Sequence, residues 1–216
     1  GSSWSAGGAL TISLAFLAGA GTSTAALAFG GNFSTTTTSK CTEAYDGTSW
    51  SVASAMSIPR KSAGGAGTQN AALSIAGGSR PASTNLIIAC TEEYDGTSWS
   101  TGGSLSAGAR YNLAASGEQN AGLAFGGYSS GFAIISCTEN YDGTSWSAGI
   151  AMNQVKDNLG GSGTSTSTMA AGGRTTDGGT VQFTSTTEEY GGVTTISTIK
   201  TFTYDDTTGE LDVSGS

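Results

Sequence analysis

Cys90-Thr91-Glu92-Glu93-Tyr94-Asp95-Gly96-Thr97-Ser98-Trp99 occurs three times in this chain. Residues 41–50 and 137–146 repeat it, changed only at the position after the glutamate, which is Ala44 in one and Asn140 in the other. A weaker copy begins at Thr186 and keeps Glu188, Glu189 and Tyr190. The tail of the motif stands alone at the start, as Gly1-Ser2-Ser3-Trp4. Trp4, Trp50, Trp99 and Trp146 follow one another at steps of 46, 49 and 47 residues. A second landmark keeps that step: Phe29-Gly30-Gly31, Ala76-Gly77-Gly78, Phe125-Gly126-Gly127 and Ala171-Gly172-Gly173. A third is the glycine at 21, 67, 117 and 163. Self-similarity at a period of about 40–50 residues marks repeat architectures, propellers among them.

Within the third repeat the pattern predicts strands near 110–117, 120–127, 133–142 and 145–151. Ala121, Leu123 and Phe125 alternate as one face of a strand does. Asp142-Gly143 is a hairpin signal, because the glycine takes the positive φ that the turn needs. The other repeats map the same way, and helix signals are absent. The fourth repeat runs from about 156 to 190 and has no Trp after Tyr190, whereas Trp4 has no inner strands of its own. The two defects are complementary. Residues 1–8 are therefore expected to supply the outer strand of the fourth unit and close a ring of four, with five units or an open stack as alternatives. Thr201-Phe202-Thr203-Tyr204 and Glu210-Leu211-Asp212-Val213 flank a polar turn and read as a hairpin. The expected division is a propeller over 1–195 and a C-terminal β-hairpin over 196–216.

A small-residue run ending in Gly-Gly, then Glu-x-Tyr-Asp, then Trp, resembles the kelch repeat over residues 1 to about 195. The resemblance implies an all-β fold, a small β-propeller of four-stranded antiparallel blades. The Arg and large aliphatic residues usual in kelch strands are replaced here by Ala, Gly, Ser and Thr. That phrasing is similar to kelch-like proteins of tailed phages, which implies a virion or tail component located on the virion or outside the cell.

Composition narrows the chemistry. The chain has 216 residues, of which 35 are Gly and 2 are Pro, and no Gly-X-Y period is present. A core poor in Leu, Ile and Val has to be built by close approach of small residues. The net charge of −8 disfavours nucleic acid as a partner. Residues 10–31 are apolar but rich in Ser and Thr, lack a basic start and align with the first two strands of later repeats; they read as core strands, not as a targeting or membrane segment. The sequence starts at Gly1 rather than Met, which points to processing or to a piece of a longer chain. Cys41, Cys90 and Cys137 hold one equivalent position in three units and are expected to be small buried residues too far apart for disulfides.

No histidine is present, which removes Ser-His-Asp and Cys-His nucleophilic systems and the commonest metal ligand. A copper site of the kind found in kelch-containing oxidases would need His. Asp-Gly-Thr-Ser-Trp is similar to the Asp box of sialidase propellers, but Gly follows Asp directly and the spacing differs. Glu43, Glu92, Glu139 and Glu188 recur once per unit. A carboxylate pair of suitable spacing could hydrolyse a glycoside, but a residue present in every unit reads as scaffold. Tyr45/Trp50, Tyr94/Trp99 and Tyr141/Trp146, with Trp4 and Tyr190, read as structural pairs packed between blades. No cofactor or metal is expected.

Antiparallel order places the near-identical turns on one face: 67–70, 117–120 and the three Asp-Gly-Thr-Ser turns, with Asp46, Asp95, Asp142 and Glu118. The other face carries the variable loops 32–38, 79–85, 128–132 and 174–182. It also carries six of the eight basic residues: Arg60, Lys61, Arg80, Arg110, Lys156 and Arg174. Variable loops on a rigid scaffold suit recognition, so Arg60, Arg80, Arg110, Tyr128, Lys156 and Arg174 are the candidate binding residues. The expected function is a non-enzymatic module that recognises a protein or a surface glycan. The alternative is a purely structural module joining homo-oligomer or virion neighbours, and a glycoside hydrolase ranks below both.

Overall fold

A computed structural model describes residues 3–34, 37–79, 86–177 and 179–191, and the backbone of 201–205 and 210–214. Blade 1 is a meander of β1 (Ala18–Thr22), β2 (Ala25–Phe29), β3 (Thr42–Tyr45) and β4 (Trp50–Ala53). Blade 2 follows as β5 (Gly64–Thr68), β6 (Ala71–Ser79), β7 (Leu86–Tyr94) and β8 (Trp99–Ser104). After the short β9 (Arg110–Tyr111), blade 3 holds β10 (Ala114–Glu118), β11 (Ala121–Phe125), β13 (Thr138–Tyr141) and β14 (Trp146–Ala148), while β12 (Tyr128–Ser129) leaves the blade to pair with β9. Blade 4 has three strands, β15 (Gly160–Gly163), β16 (Ser167–Ala171) and β19 (Thr187–Gly191); β17 (Arg174–Asp177) and β18 (Thr180–Phe183) form a hairpin beside it. β20 (Thr201–Asp205) and β21 (Glu210–Ser214) pair antiparallel as a further hairpin. The four antiparallel sheets are arranged as a four-bladed β-propeller, with no helix among the described residues.

The turns form for local reasons. Asp95 Oδ1 accepts the N–H groups of Thr97 and Ser98 at 2.8 and 2.7 Å, and Gly96 takes φ 91° between them. Asp46 and Asp142 do the same in blades 1 and 3. These bonds to the charged form hold all three carboxyls below the ordinary range for aspartate. Neighbouring blades are tied on this face by Gln69, which donates to the carbonyls of Ala26 and Tyr45, and by Gln119, which donates to those of Ala72 and Tyr94.

Radial packing explains the composition. The innermost strands meet in the order β1, β5, β10, β15. A Cβ on Gly65 would lie 2.4 Å from the Gly19 carbonyl oxygen, and one on Gly161 would lie 2.6 Å from the Phe125 ring. Strands this close exclude larger side chains, so the core is Ala and Gly inside with Leu, Phe, Ile and Trp farther out. The outer layer repeats: the indole N–H of Trp99 donates to Thr42 Oγ1 and that of Trp146 to Thr91 Oγ1, both at 2.9 Å and both across a blade boundary. Each Trp also stacks on the Tyr opposite it in register, with centroids 5.1 Å apart in blade 2 and 4.7 Å in blade 3. Tyr141 further donates to Glu93 of blade 2, and burial first, then that bond, pushes its phenol up to about 12.

A glutamate on the third strand of each blade, buried in blades 1–3 and half-buried in blade 4, receives the loop that enters the blade. Glu92 accepts the N–H groups of Ser57 and Ile58 at 2.7 and 3.1 Å; Glu43 does so from Thr11 and Ile12, Glu139 from Ser106 and Ala107, and Glu188 from Asn153 and Gln154. In blades 2–4 a cation on the same loop completes the site. Arg60 Nη2 donates to Glu92 at 2.7 Å, while Nη1 donates to the carbonyls of Ser74, Ala76 and Cys90. Arg110 and Glu139 lie 3.1 Å apart, out of line for a hydrogen bond, and burial lowers the Arg110 pKa. Lys156 sits 3.6 Å from Glu188. Blade 1 has Leu14 at the corresponding place on its loop.

Several expectations are corrected. Residues 3–14 pair in no named strand and Trp4 is 103% exposed, so it does not close the ring on Tyr190. Around the axis Ser62, Asn112 and Asn158 each donate a backbone N–H to the preceding blade, to Phe16, Ser62 and Asn112 respectively, and no backbone bond joins Asn158 back to Phe16 among the described residues. Among the described residues the backbone ladder around the axis therefore fastens blades 1 to 4 in order and does not run from blade 4 to blade 1. The landmark of blade 2 is shifted by one: Ile75, opposite Gly64, matches Phe29 opposite Ala18, so Ala76 at φ 56° takes the place of Gly30 and Gly126. The cysteines are thiols, as expected, but half-buried rather than buried. The expected loop over 174–182 is the β17–β18 hairpin.

Two outcomes follow for stability. Glu92→Ala is expected to cost about 3–5 kcal/mol in urea unfolding, since it orphans a buried Arg; Glu188→Ala, whose side chain is 13% exposed, is expected to cost clearly less. The Asp turns stabilise the fold fully above the model-peptide value of 3.8, and their contribution is lost as pH falls through the depressed folded values. A chain carrying Asp46→Ala, Asp95→Ala and Asp142→Ala should therefore melt below the parent at pH 7, with the difference in Tm shrinking below about pH 4.

Candidate functional site

The variable face is built unevenly. β6 and β7 run nine residues each, against four or five for their counterparts in blades 1 and 3, so they project beyond blade 2. Ala76 bulges the ladder, and beyond it Gly77, Gly78 and Ser79 pair with Ile88, Ile87 and Leu86. From blade 3, β9 lies next to this ribbon and pairs with β12, and their two-residue ladder sets Tyr111 opposite Tyr128. The two rings sit 5.5 Å apart, tilted by 53°. Reciprocal backbone bonds between Lys61 and Gly78, 2.8 and 2.9 Å, fix the inner rim.

A groove of about 590 Å³ lies between ribbon and pair, lined among others by Lys61, Leu86, Ile87, Tyr111, Tyr128 and Phe132. That volume falls in the ordinary range for small-ligand sites, roughly 300–1,000 Å³. Phe132 is 81% exposed and held at φ 63°, and Leu86 is 53% exposed. Lys61 Nζ lies 5.7 Å over the Phe16 ring. Arg174 is close enough to Tyr111 and Tyr128 to feel both; its pKa is raised chiefly by its bond to Asp157. Among the described residues the lining carries no carboxylate and no thiol. Apolar faces with hydroxyls at their edges suit stacking and hydrogen bonding to a ligand, and supply no acid–base pair.

The sequence-derived residues are distributed differently from the expectation. Arg60, Arg110 and Lys156 are wholly buried in their ion pairs, so they are scaffold and cannot touch a ligand. Arg174 is one-third exposed and bound to Asp157. Tyr128 is in the groove, and Arg80 lies outside the described residues. Tyr45 and Trp50 pack at 5.0 Å within blade 1. Sequence reasoning missed Tyr111, Phe132 and Leu86; the available signal was the recurrence of aromatic residues at 111, 128 and 132, flanking one blade's inner strands. Among the described residues no group of three or more His, Cys, Asp or Glu is placed to hold a metal, and no helix is long and apolar enough to cross a membrane. Neither a family model nor a curated protein matches the chain.

Proposed function

We propose that this chain is a non-enzymatic β-propeller module that binds a surface glycan through the aromatic groove between blades 2 and 3. The observation that carries the reading is the exposure of Phe132 and Leu86 beside the Tyr111–Tyr128 pair, on a rim fixed by backbone bonds. Aromatic faces of this kind stack on the C–H faces of sugar rings, and the phenol edges take up hydroxyls. The lack of histidine in the chain, and of carboxylates among the described residues of the groove, supports binding without turnover. We read the repeats as kelch-like, in the Gly/Ala/Thr-rich manner of tailed-phage virion proteins. On that reading the module faces a host surface from the virion or from outside the cell.

A glycan array probed with the intact chain tests this. Binding to at least one glycan class is expected, weakened about tenfold or more by Tyr128→Ala and by Phe132→Ala, which corresponds to about 1.4 kcal/mol or more, with the melting temperature of Phe132→Ala unchanged. An array without hits, or hits indifferent to both substitutions, would sink the glycan reading.

A further inference from the structure

Among the described residues blade 4 lacks what the two blades before it have. In blades 2 and 3 an outer strand begins with a Trp opposite a Tyr in register, and its indole enters the preceding blade to reach a Thr hydroxyl. In blade 4 the Tyr is Tyr190 and the Thr is Thr138, the counterpart of Thr42 and Thr91, but no outer strand is paired to β19 among the described residues. The place of the indole is a cleft of about 370 Å³, lined among others by Leu123, Phe125, Thr138, Ile150, Ala170 and Tyr190. Ile150 is 77% exposed there.

The matching piece is present elsewhere. Gly7 lies against the Tyr45 hydroxyl and Gly8 against Thr48 and Ser49 of blade 1, as Gly102 and Gly103 of β8 lie against Tyr141, Thr144 and Ser145 of blade 3. Residues 4–8 thus sit on blade 1 in the manner of an outer strand from a preceding blade, and Trp4, three residues before Gly7 as Trp99 is before Gly102, points into solvent. One copy displays a donor segment with an exposed indole at one end and an acceptor blade with an indole-sized cleft at the other. We propose that the cleft of blade 4 is an association site for a second copy of this chain: residues 4–8 of that copy pair with β19, set Trp4 opposite Tyr190, and donate the indole N–H to Thr138. The contact is head-to-tail, adds a strand to an unpaired edge, and continues the blade-to-blade packing already made twice within the chain. It is independent of glycan binding in the groove, with which it shares no lining residue.

Sedimentation velocity on the intact chain tests the proposal, with Trp4→Ala removing the donor and Tyr190→Lys blocking the acceptor. The parent should show concentration-dependent species larger than a monomer. Each variant alone should be monomeric, and an equimolar mixture should yield a 1:1 dimer, because each retains one good end. A labelled peptide of residues 1–10 should bind the Trp4→Ala chain and lose at least tenfold in affinity when Thr138→Val is added. That last measurement stands even if Tyr190→Lys fails to fold. A parent that stays monomeric, as it would if each chain fastened its own seam, or larger species that persist in Trp4→Ala, overturns the proposal.

Discussion

One carboxylate per blade organises this molecule. Glu43, Glu92, Glu139 and Glu188 sit on the third strand of each sheet and take the backbone N–H groups of the loop that arrives from the strand before. That loop leads into the innermost strand of the blade, so the carboxylate fixes where the blade begins relative to its neighbour. A buried carboxylate needs compensation. Two N–H donors supply part of it, and Arg60, Arg110 and Lys156 supply the rest in blades 2, 3 and 4. The cations have consequently left the surface, and the face that carries the variable loops presents aromatic rings where a charge-based reading expects a basic patch.

The glutamates set the spacing, and the inner strands convert it into a fold without bulky residues. Backbone approaches between Gly19 and Gly65 leave no room for a branched side chain, which is why the chain has so little Val or Ile where most β proteins have much. Buried area then comes from the second layer: Leu27, Phe29, Leu73, Ile75, Leu123 and Phe125 on second strands, with Trp99 and Trp146 locking them from the next blade. The inner strands are not equally covered. β5 and β10 alternate buried and half-buried positions, whereas β15 is exposed along its whole length.

Much of this was legible in the sequence. The tryptophan spacing gave the number of sheets, the Asp-Gly-Thr-Ser turns gave the hairpins, and the once-per-repeat glutamates pointed to a scaffold role. Arg60, Arg110 and Lys156 also recur once per repeat. A basic residue in a connecting loop looks solvated until its partner is known, and the partner of Arg60 lies 32 residues downstream on another strand. Ala76 concealed the register of blade 2 for a related reason: an alanine in the left-handed region is uncommon, and the Gly-Gly pair beside it offered a better but incorrect alignment. The groove was hard to foresee because Tyr111 and Tyr128 meet across a ladder of only two residues.

The tryptophan count carried information that a single copy does not use. Four tryptophans follow one period, yet two enter a preceding blade, Trp50 stays half-buried beside Tyr45, and Trp4 meets solvent. Trp50 and Trp4 belong to the two outer-strand positions beside blade 4, and among the described residues neither boundary of that blade carries the tryptophan contact made by Trp99 and Trp146. An exposed Trp costs solubility, and an unpaired β edge invites association. Either could be drift in isolation, but here the side chain, the register partner, the hydroxyl acceptor and the empty volume all correspond to the same missing strand. In blades 2 and 3 the counterparts of Tyr190 and Thr138 serve an inserted indole, with Tyr94 and Tyr141 opposite it and Thr42 and Thr91 beneath it, and this supports the proposed reading of the edge of blade 4 as a receptor surface.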